Sequence, residues 1–212
     1  MFAKKLTLLT VLFIIAFISY NCKDRQSDKL SAFTKSIGYE SEKKFDLALS
    51  EMEKIKDNLA DDYFTNLRLG WLYYNNKKYQ ESIKFYNKAF SLSNNKSVEA
   101  LLGLTYPYDA LSKTDEIISI YKKVLEIDNN NYTANLKLAI IYYYKANYQT
   151  AKSFLDKIYP MYSSDYYINL YNGWTLFKLN NKAKAKEFFI NALINNSNDS
   201  SAKEGLEACR WE

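Results

Sequence analysis

The chain has 212 residues, 29 of them basic and 24 acidic, with no histidine, two cysteines and five glycines. Residues 1–21 hold two of the basic side chains and none of the acidic ones, so the remainder carries only +3, too little for a nucleic-acid footprint, and no long basic run or RNA-binding signature occurs. Without histidine the commonest acid–base and metal-ligating group is missing, two distant cysteines give no zinc spacing, and the glycines form no phosphate-cradling loop; a non-enzymatic protein with no cofactor is expected.

Met1 to Tyr20 opens with Lys4-Lys5 and continues as the apolar run Leu6 to Ile18, the charged and short hydrophobic regions of an export signal. The run is shorter than the roughly 20 apolar residues of a membrane span. Residues 1–21 therefore read as a signal peptide. Ser19-Tyr20-Asn21 fits a conventional cleavage site poorly, whereas Ile18 to Cys22 resembles a relaxed bacterial lipobox, in which the cysteine is lipidated and becomes the mature N-terminus. Tyr20 and Asn21 are bulkier than the strict motif allows, so an uncleaved anchor and ordinary secretion stay open beside lipidation of Cys22. The lipobox reading implies an exported protein of the cell envelope, held in a membrane by acyl chains worth roughly 0.8 kcal/mol per buried CH2. Residues 22–28, charged and without periodicity, read as the tether.

Beyond the tether, hydrogen-bond acceptors recur at one register ahead of helical-period segments: Asp28, Asp62, Ser97, Asn131, Asp165 and Asp199. Each predicts a helix N-cap worth roughly 1 kcal/mol. Three further series keep the same register: Gly70, Thr105, Ala139, Gly173; Ser82, Ile117, Ala151, Ala185; and Ala89, Val124, Ile158, Ala192. Residues 63–96 are the clearest unit. Leu69, Gly70 and Tyr73 precede an Asn-Asn-Lys-Lys break, and Ser82, Tyr86 and Ala89 follow it, which predicts two short helices packed as a hairpin.

A 34-residue helix-turn-helix period of this kind resembles the tetratricopeptide repeat (TPR) family. The resemblance implies an all-α, right-handed superhelix of tandem hairpins: a degenerate unit at 29–62, repeats at 63–97, 98–131, 132–165 and 166–199, and a capping helix at 200–212. In the degenerate unit Ser36, Tyr39, Phe45, Ala48, Met52 and Ile55 stand on repeat positions. Ser201 and Glu204 are spaced as a capping box. Asn94 and Asn129 replace the family's proline and are expected to end helices in a left-handed conformation. Pro107, inside a first helix, predicts a kink or interruption, and Pro160 an early end to a second helix. Asn172 replaces a large apolar residue, which predicts either a local shift or a satisfied polar contact. The acidic pairs Asp61-Asp62 and Asp115-Glu116 fall at turns or helix starts and read as caps. Cys209, beside Leu206 and Trp211, reads as a packed small hydrophobe.

The resemblance further implies a groove lined by the first helix of each repeat. The corresponding positions are Phe64, Leu67, Trp71 and Tyr74; then Glu99, Leu102, Tyr106 and Asp109; then Thr133, Leu136, Ile140 and Tyr143 with Tyr144 beside it; then Tyr167, Leu170, Trp174 and Phe177. Leu67, Leu102, Leu136 and Leu170 have a second role available, packing between neighbouring helices. The lining is mostly aromatic or aliphatic and lacks the Lys, Arg and Asn set with which some family members clamp a carboxylate. The expected function is a protein–protein interaction scaffold or adaptor that takes an apolar peptide or helix from another envelope protein. The alternative is a structural, self-associating protein whose groove is filled by its own N-terminal unit or a second copy.

Overall fold

A computed structural model describes residues 25–210, and all regular structure among them is α-helical. The chain divides into two compact units, residues 1–113 and 114–212. The first holds α1 (residues 25–41), α2 (Phe45–Glu53), α3 (Tyr63–Asn75), α4 (Tyr79–Leu92) and α5 (Val98–Ala110). The second holds α6 (Thr114–Ile127), α7 (Tyr132–Tyr144), α8 (Tyr148–Ile158), α9 (Tyr166–Lys178), α10 (Lys182–Asn195) and α11 (Ser200–Ala208). In each unit consecutive helices pack as hairpins, the all-α solenoid architecture that the repeat register predicts.

Five of the six predicted caps form. Asp62 accepts from the Thr65 N–H at 2.8 Å, Ser97 from Ala100 at 2.9 Å, Asn131 from Ala134 at 3.1 Å, Asp165 from Ile168 at 2.9 Å and Asp199 from Ala202 at 2.6 Å. Asp28 does not cap, because the chain is already helical at residue 25. The expected tether therefore ends earlier and the degenerate unit starts earlier. The reason is docking: Arg25 bonds the Asn58 carbonyl, and Lys29 pairs with Asp62 at 2.6 Å. Ser201 likewise does not open a capping box, since α11 starts at Ser200 behind Asp199.

The hairpin turns close in one way. Lys43, Lys77, Ser112, Ala146 and Asn180 all have positive φ. The flanking N–H groups then turn back to the last helical carbonyls, as Lys77 does to Tyr74 at 2.8 Å and Lys78 to Tyr73 at 2.9 Å. Asn94 is left-handed as expected (φ 54°), but Asn129 is not. There α6 ends through Asp128, whose N–H bonds Val124 at 2.8 Å and whose side chain accepts from Asn130 at 3.3 Å.

Pro107 does not interrupt α5, which runs unbroken to Ala110 with the proline buried. Its missing N–H forfeits only the bond to the Gly103 carbonyl, and the helix runs on to its C-cap, where Leu111 N–H bonds Pro107 C=O at 3.1 Å. Buried Leu101 and Leu104 hold the helix against its weak local propensity. Pro160 acts as predicted, leaving α8 at 11 residues against 14 for α10. Asn172 stays in register and fully buried, with Nδ2 donating to the Ile168 carbonyl at 3.0 Å. Its Oδ1 has no partner, so the polar contact is only half satisfied.

The core of the first unit gathers Ala48, Leu49, Met52, Leu69, Leu72 and Tyr73. Those of the second gather Leu155, Ile158 and Ile168 with Leu136, and Phe189 with Ala185, Ala192 and Ala202. Helix α11 places Ala202 and Gly205 against this last group and so covers the end of the stack. Cys209 packs half-buried at its edge, where burial raises the thiol against the pull of Lys182 and Lys186.

Two ladders tie the register together. The buried asparagines Asn66, Asn135 and Asn169 each donate to carbonyls four and six residues back, as Asn169 does to Asp165 at 2.7 Å and Ser163 at 2.8 Å. Each thereby fastens an inter-repeat turn to the following helix. The residue after a cap reaches the next cap: Tyr63 to Ser97 at 2.7 Å, Tyr132 to Asp165 at 2.9 Å, and Tyr166 to Asp199, while Lys29, at the same register inside α1, reaches Asp62. Burial and then the Asp199 carboxylate push the Tyr166 hydroxyl up to about 12.

Candidate functional site

The caps at Asp62 and Ser97 start α3 and α5 in the same register, so equivalent side chains of the two helices face one cleft of about 750 Å3 in the first unit. Phe64, Leu67, Trp71 and Tyr106 line it, as the groove positions predict, with Leu102 and Glu99 from the same set. Phe64 and Tyr106 are 61% and 48% exposed, so the cleft presents open aromatic faces. Tyr74 joins through its ring contacts, 5.8 Å to Trp71 and 5.5 Å to Tyr106. Phe33 of α1 and Tyr86 of α4 complete the wall and floor, and neither stands on a mapped groove position.

The cleft also holds an arginine, Arg68, which stands on none of the mapped groove positions. Its guanidinium pairs with Glu40 of α1 and donates from Nε (3.2 Å) and an NH2 nitrogen (3.0 Å) to the buried Ser36 hydroxyl. Glu40 also accepts from the Trp71 indole N–H at 2.6 Å. Trp71 is therefore half-buried and fixed by its polar edge, with its ring left to face the cleft. This network spans 28 residues of sequence between Glu40 and Arg68, and no local pattern announces it. Glu99, in the first turn of α5, is exposed and accepts a 3.1 Å hydrogen bond from the Tyr63 hydroxyl, which burial raises above its ordinary pKa.

A second depression of the first unit, about 610 Å3, includes Tyr73, Glu81, Lys84, Phe85 and Lys88. Its polar groups largely serve one another or near neighbours: Lys84 meets Glu81 at 3.8 Å, Lys88 meets Asp61 at 2.7 Å and the Tyr73 hydroxyl bonds Glu53 at 2.7 Å. Phe85 stacks on Tyr73 at 5.1 Å, which leaves little aromatic surface to offer.

In the second unit the remaining candidates fall into two groups. Tyr143 contacts Tyr144, Tyr148 and Tyr171 at 5.4, 5.6 and 6.0 Å, beside half-buried Ile140. Tyr144 is 75% exposed and shares a hydrogen bond with Tyr171. Trp174 and Phe177 pack against each other at 5.9 Å, and Trp174 lies on Phe189 at 5.1 Å while its indole N–H bonds Ser201 at 2.9 Å. Trp174 is thus mostly a packing residue of the covered end, whereas Tyr167 stays 54% exposed. Leu136 and Leu170 are buried between helices; Leu67 and Leu102 are half-buried and face the cleft. Cys22 lies outside the described residues, and among the described residues no helix is long and apolar enough to cross a membrane.

Comparison with known proteins adds to this geometry. No curated protein matches the chain by sequence. Among solved structures, a tetratricopeptide repeat protein from Parabacteroides merdae ATCC 43184 is similar at 18% identity and a TM-score of 0.73, over 86% of this chain and 72% of that one. MamA follows at 16% identity and 0.68, over 81% and 93%. YrrB, described as a TPR protein with an unusual peptide-binding site, is similar at 14% identity and 0.65, over 83% and 90%. The tetratricopeptide repeat family model matches residues 63–96, the unit that supplies Phe64, Leu67 and Trp71 to the cleft. The chain thus carries a tetratricopeptide repeat at residues 63–96, and its fold is similar to that of solved tetratricopeptide repeat proteins.

Proposed function

We propose that the protein is a non-enzymatic interaction scaffold of the bacterial cell envelope, and that the cleft between α1, α3 and α5 receives an apolar helix or peptide of a protein partner. The observation that carries this reading is the open aromatic lining, Phe64 and Tyr106 over Leu67 and Leu102, in a pocket large enough for several side chains. Aromatic anchors buried under a partner contribute roughly 1.5 to 3 kcal/mol each before ordering costs. Similarity in fold to YrrB, whose description names a peptide-binding site, supports the same use of the architecture.

Tethering rests on sequence alone: Cys22 follows the apolar run Leu6 to Ile18, and helix α1 begins within a few residues of it. Labelling with an alkyne fatty acid in cells should mark the wild-type chain and not Cys22→Ala; equal labelling would remove the lipid anchor. For the cleft, Leu102→Arg puts a charge among the lining side chains without touching the fully buried core. Partners recovered from native envelopes with the wild type should be lost with this variant while its circular dichroism melt is unchanged. Full recovery of the same partners would place the binding surface elsewhere.

A further inference from the structure

The two charged side chains that line the cleft are in opposite states. Arg68 is answered within the fold, by the Glu40 carboxylate and by Ser36, and its side chain is only 14% exposed. Glu99 is exposed, and among the described residues it has no cation within ion-pair distance. The nearby cation is spent: Lys29 pairs with Asp62 at 2.6 Å and lies over the Phe64 ring at 5.4 Å. The cleft therefore carries one uncompensated negative charge, at the end where α3 and α5 begin. A carboxylate in the first turn of α5 favours the helix dipole wherever it points. Helix stability does not require it to border an apolar cleft or to be held there by the Tyr63 hydroxyl at 3.1 Å.

We infer that the occupant of this cleft is an amphipathic peptide segment that carries a lysine or arginine beside its apolar face, placed to pair with Glu99. The inference rests on the cleft reading above and adds the sign of the partner's charge. The apolar face meets Leu67, Trp71, Leu102 and Tyr106; the cation settles at the Phe64 end. A peptide with an acidic flank meets Glu99 unscreened, with Arg68 already committed to Glu40. This arrangement reads basic flanks and rejects acidic ones through an exposed rim charge, which sets selectivity more than total affinity.

The test uses the full chain and three short synthetic helices that share one apolar face and differ only in the flanking residue: lysine, norleucine or glutamate. Fluorescence anisotropy at low salt should rank them in that order, lysine about threefold tighter than norleucine and about tenfold tighter than glutamate. High salt should compress the ranking. Glu99→Gln should remove it and Glu99→Lys should invert it, and the site is exposed enough for both variants to leave the thermal melt in place. Equal binding of all three peptides, with loss of all three in Leu102→Arg, would overturn the charge reading and leave the cleft in use. No binding, or binding indifferent to Leu102→Arg, would overturn both. A second copy of the chain as occupant would show as concentration-dependent mass that the lysine peptide fails to displace, and that also overturns the inference.

Discussion

The ring of Tyr86 lies across Gly103, so close that a Cβ on residue 103 would stand 2.3 Å from the tyrosine Cε1. The same ring covers Gly70 of its own hairpin, where an added Cβ would stand 2.8 Å from Cγ. Tyr86 is thus a wedge between two glycine backbones, on the floor of the cleft. Phe189 repeats the relationship with Gly173 and Gly205 in the second unit.

Alanine in a helix is normally more stable than glycine by about 1 kcal/mol. At residue 103 the sign should invert, because the wedge has backbone on both sides and nowhere to move. Gly103→Ala should cost about 1–3 kcal/mol in urea unfolding followed by circular dichroism. Gly103→Ala with Tyr86→Leu should cost less than the two single changes added together. Gly38, with nothing within 4 Å of an added Cβ, is the control and should gain stability as alanine.

Asp62 combines a cap and an ion pair, accepting from Thr65 N–H at 2.8 Å and from Lys29 at 2.6 Å. Burial pushes its carboxyl up, but Lys29 and Thr65 outweigh burial and hold it below the ordinary aspartate range. A value depressed in the folded state gives stability that is complete above the unfolded pKa, about 3.9, and is lost as pH falls through the lower folded value. Asp62→Ala should therefore cost about 1–2 kcal/mol near neutral pH, where cap and pair are both present. Asp62→Asn keeps the cap acceptor and should flatten the loss of stability seen below about pH 4. Unfolding midpoints measured across that range decide it; identical acid slopes for wild type and Asp62→Asn would refute the pairing.

Two buried asparagines of α9 should respond in opposite directions to leucine. Asn169 fastens the preceding turn through the carbonyls of Ser163 and Asp165, and Asn169→Leu should destabilise by about 1–3 kcal/mol. Both leave Oδ1 unpartnered, but Asn172 donates only to Ile168 of its own helix and fastens no turn. Asn172→Leu restores the apolar side chain that the repeat register asks for and should stabilise by about 1 kcal/mol or more. Thermal melts of the pair test the contrast directly.

What the sequence made legible is what repeats at short range. The caps from Asp62 onward, the hairpin period and the buried series through Ala89, Val124, Ile158 and Ala192 all follow from local hydrogen bonding and helical spacing. Half of the cleft was readable for the same reason, since Phe64, Leu67, Trp71 and Tyr106 stand at fixed distances from a cap. The Glu40–Arg68–Trp71 network was not, because it joins a degenerate unit to a regular one and neither Glu40 nor Arg68 stands on a groove position. Nor was the bond from the Trp174 indole N–H to Ser201 of the terminal helix, because it joins two elements that no local pattern links. Gly103 and Gly205 also carried a readable signal: each lies six residues after a cap, opposite an aromatic residue of the preceding hairpin.

The left-handed turn residues offer a further check. Ala146 holds φ 56° with no side-chain hydrogen bond of its own to compensate. Ala146→Gly should stabilise by about 0.5–1 kcal/mol, the cost of left-handed backbone at alanine less the added freedom of glycine in the unfolded chain. A loss of stability in the urea titration would mean that the turn is not strained.

The central claim, that the first unit's cleft is the partner surface, is tested most directly by photo-crosslinking in living cells. A benzophenone amino acid replaces Tyr106 in the cleft or, as control, exposed Lys84 on α4. The account predicts one discrete adduct from position 106, absent from position 84 and abolished by Leu102→Arg. Adducts of equal yield and mass from both positions, or an adduct at 106 that persists with Leu102→Arg, would contradict it.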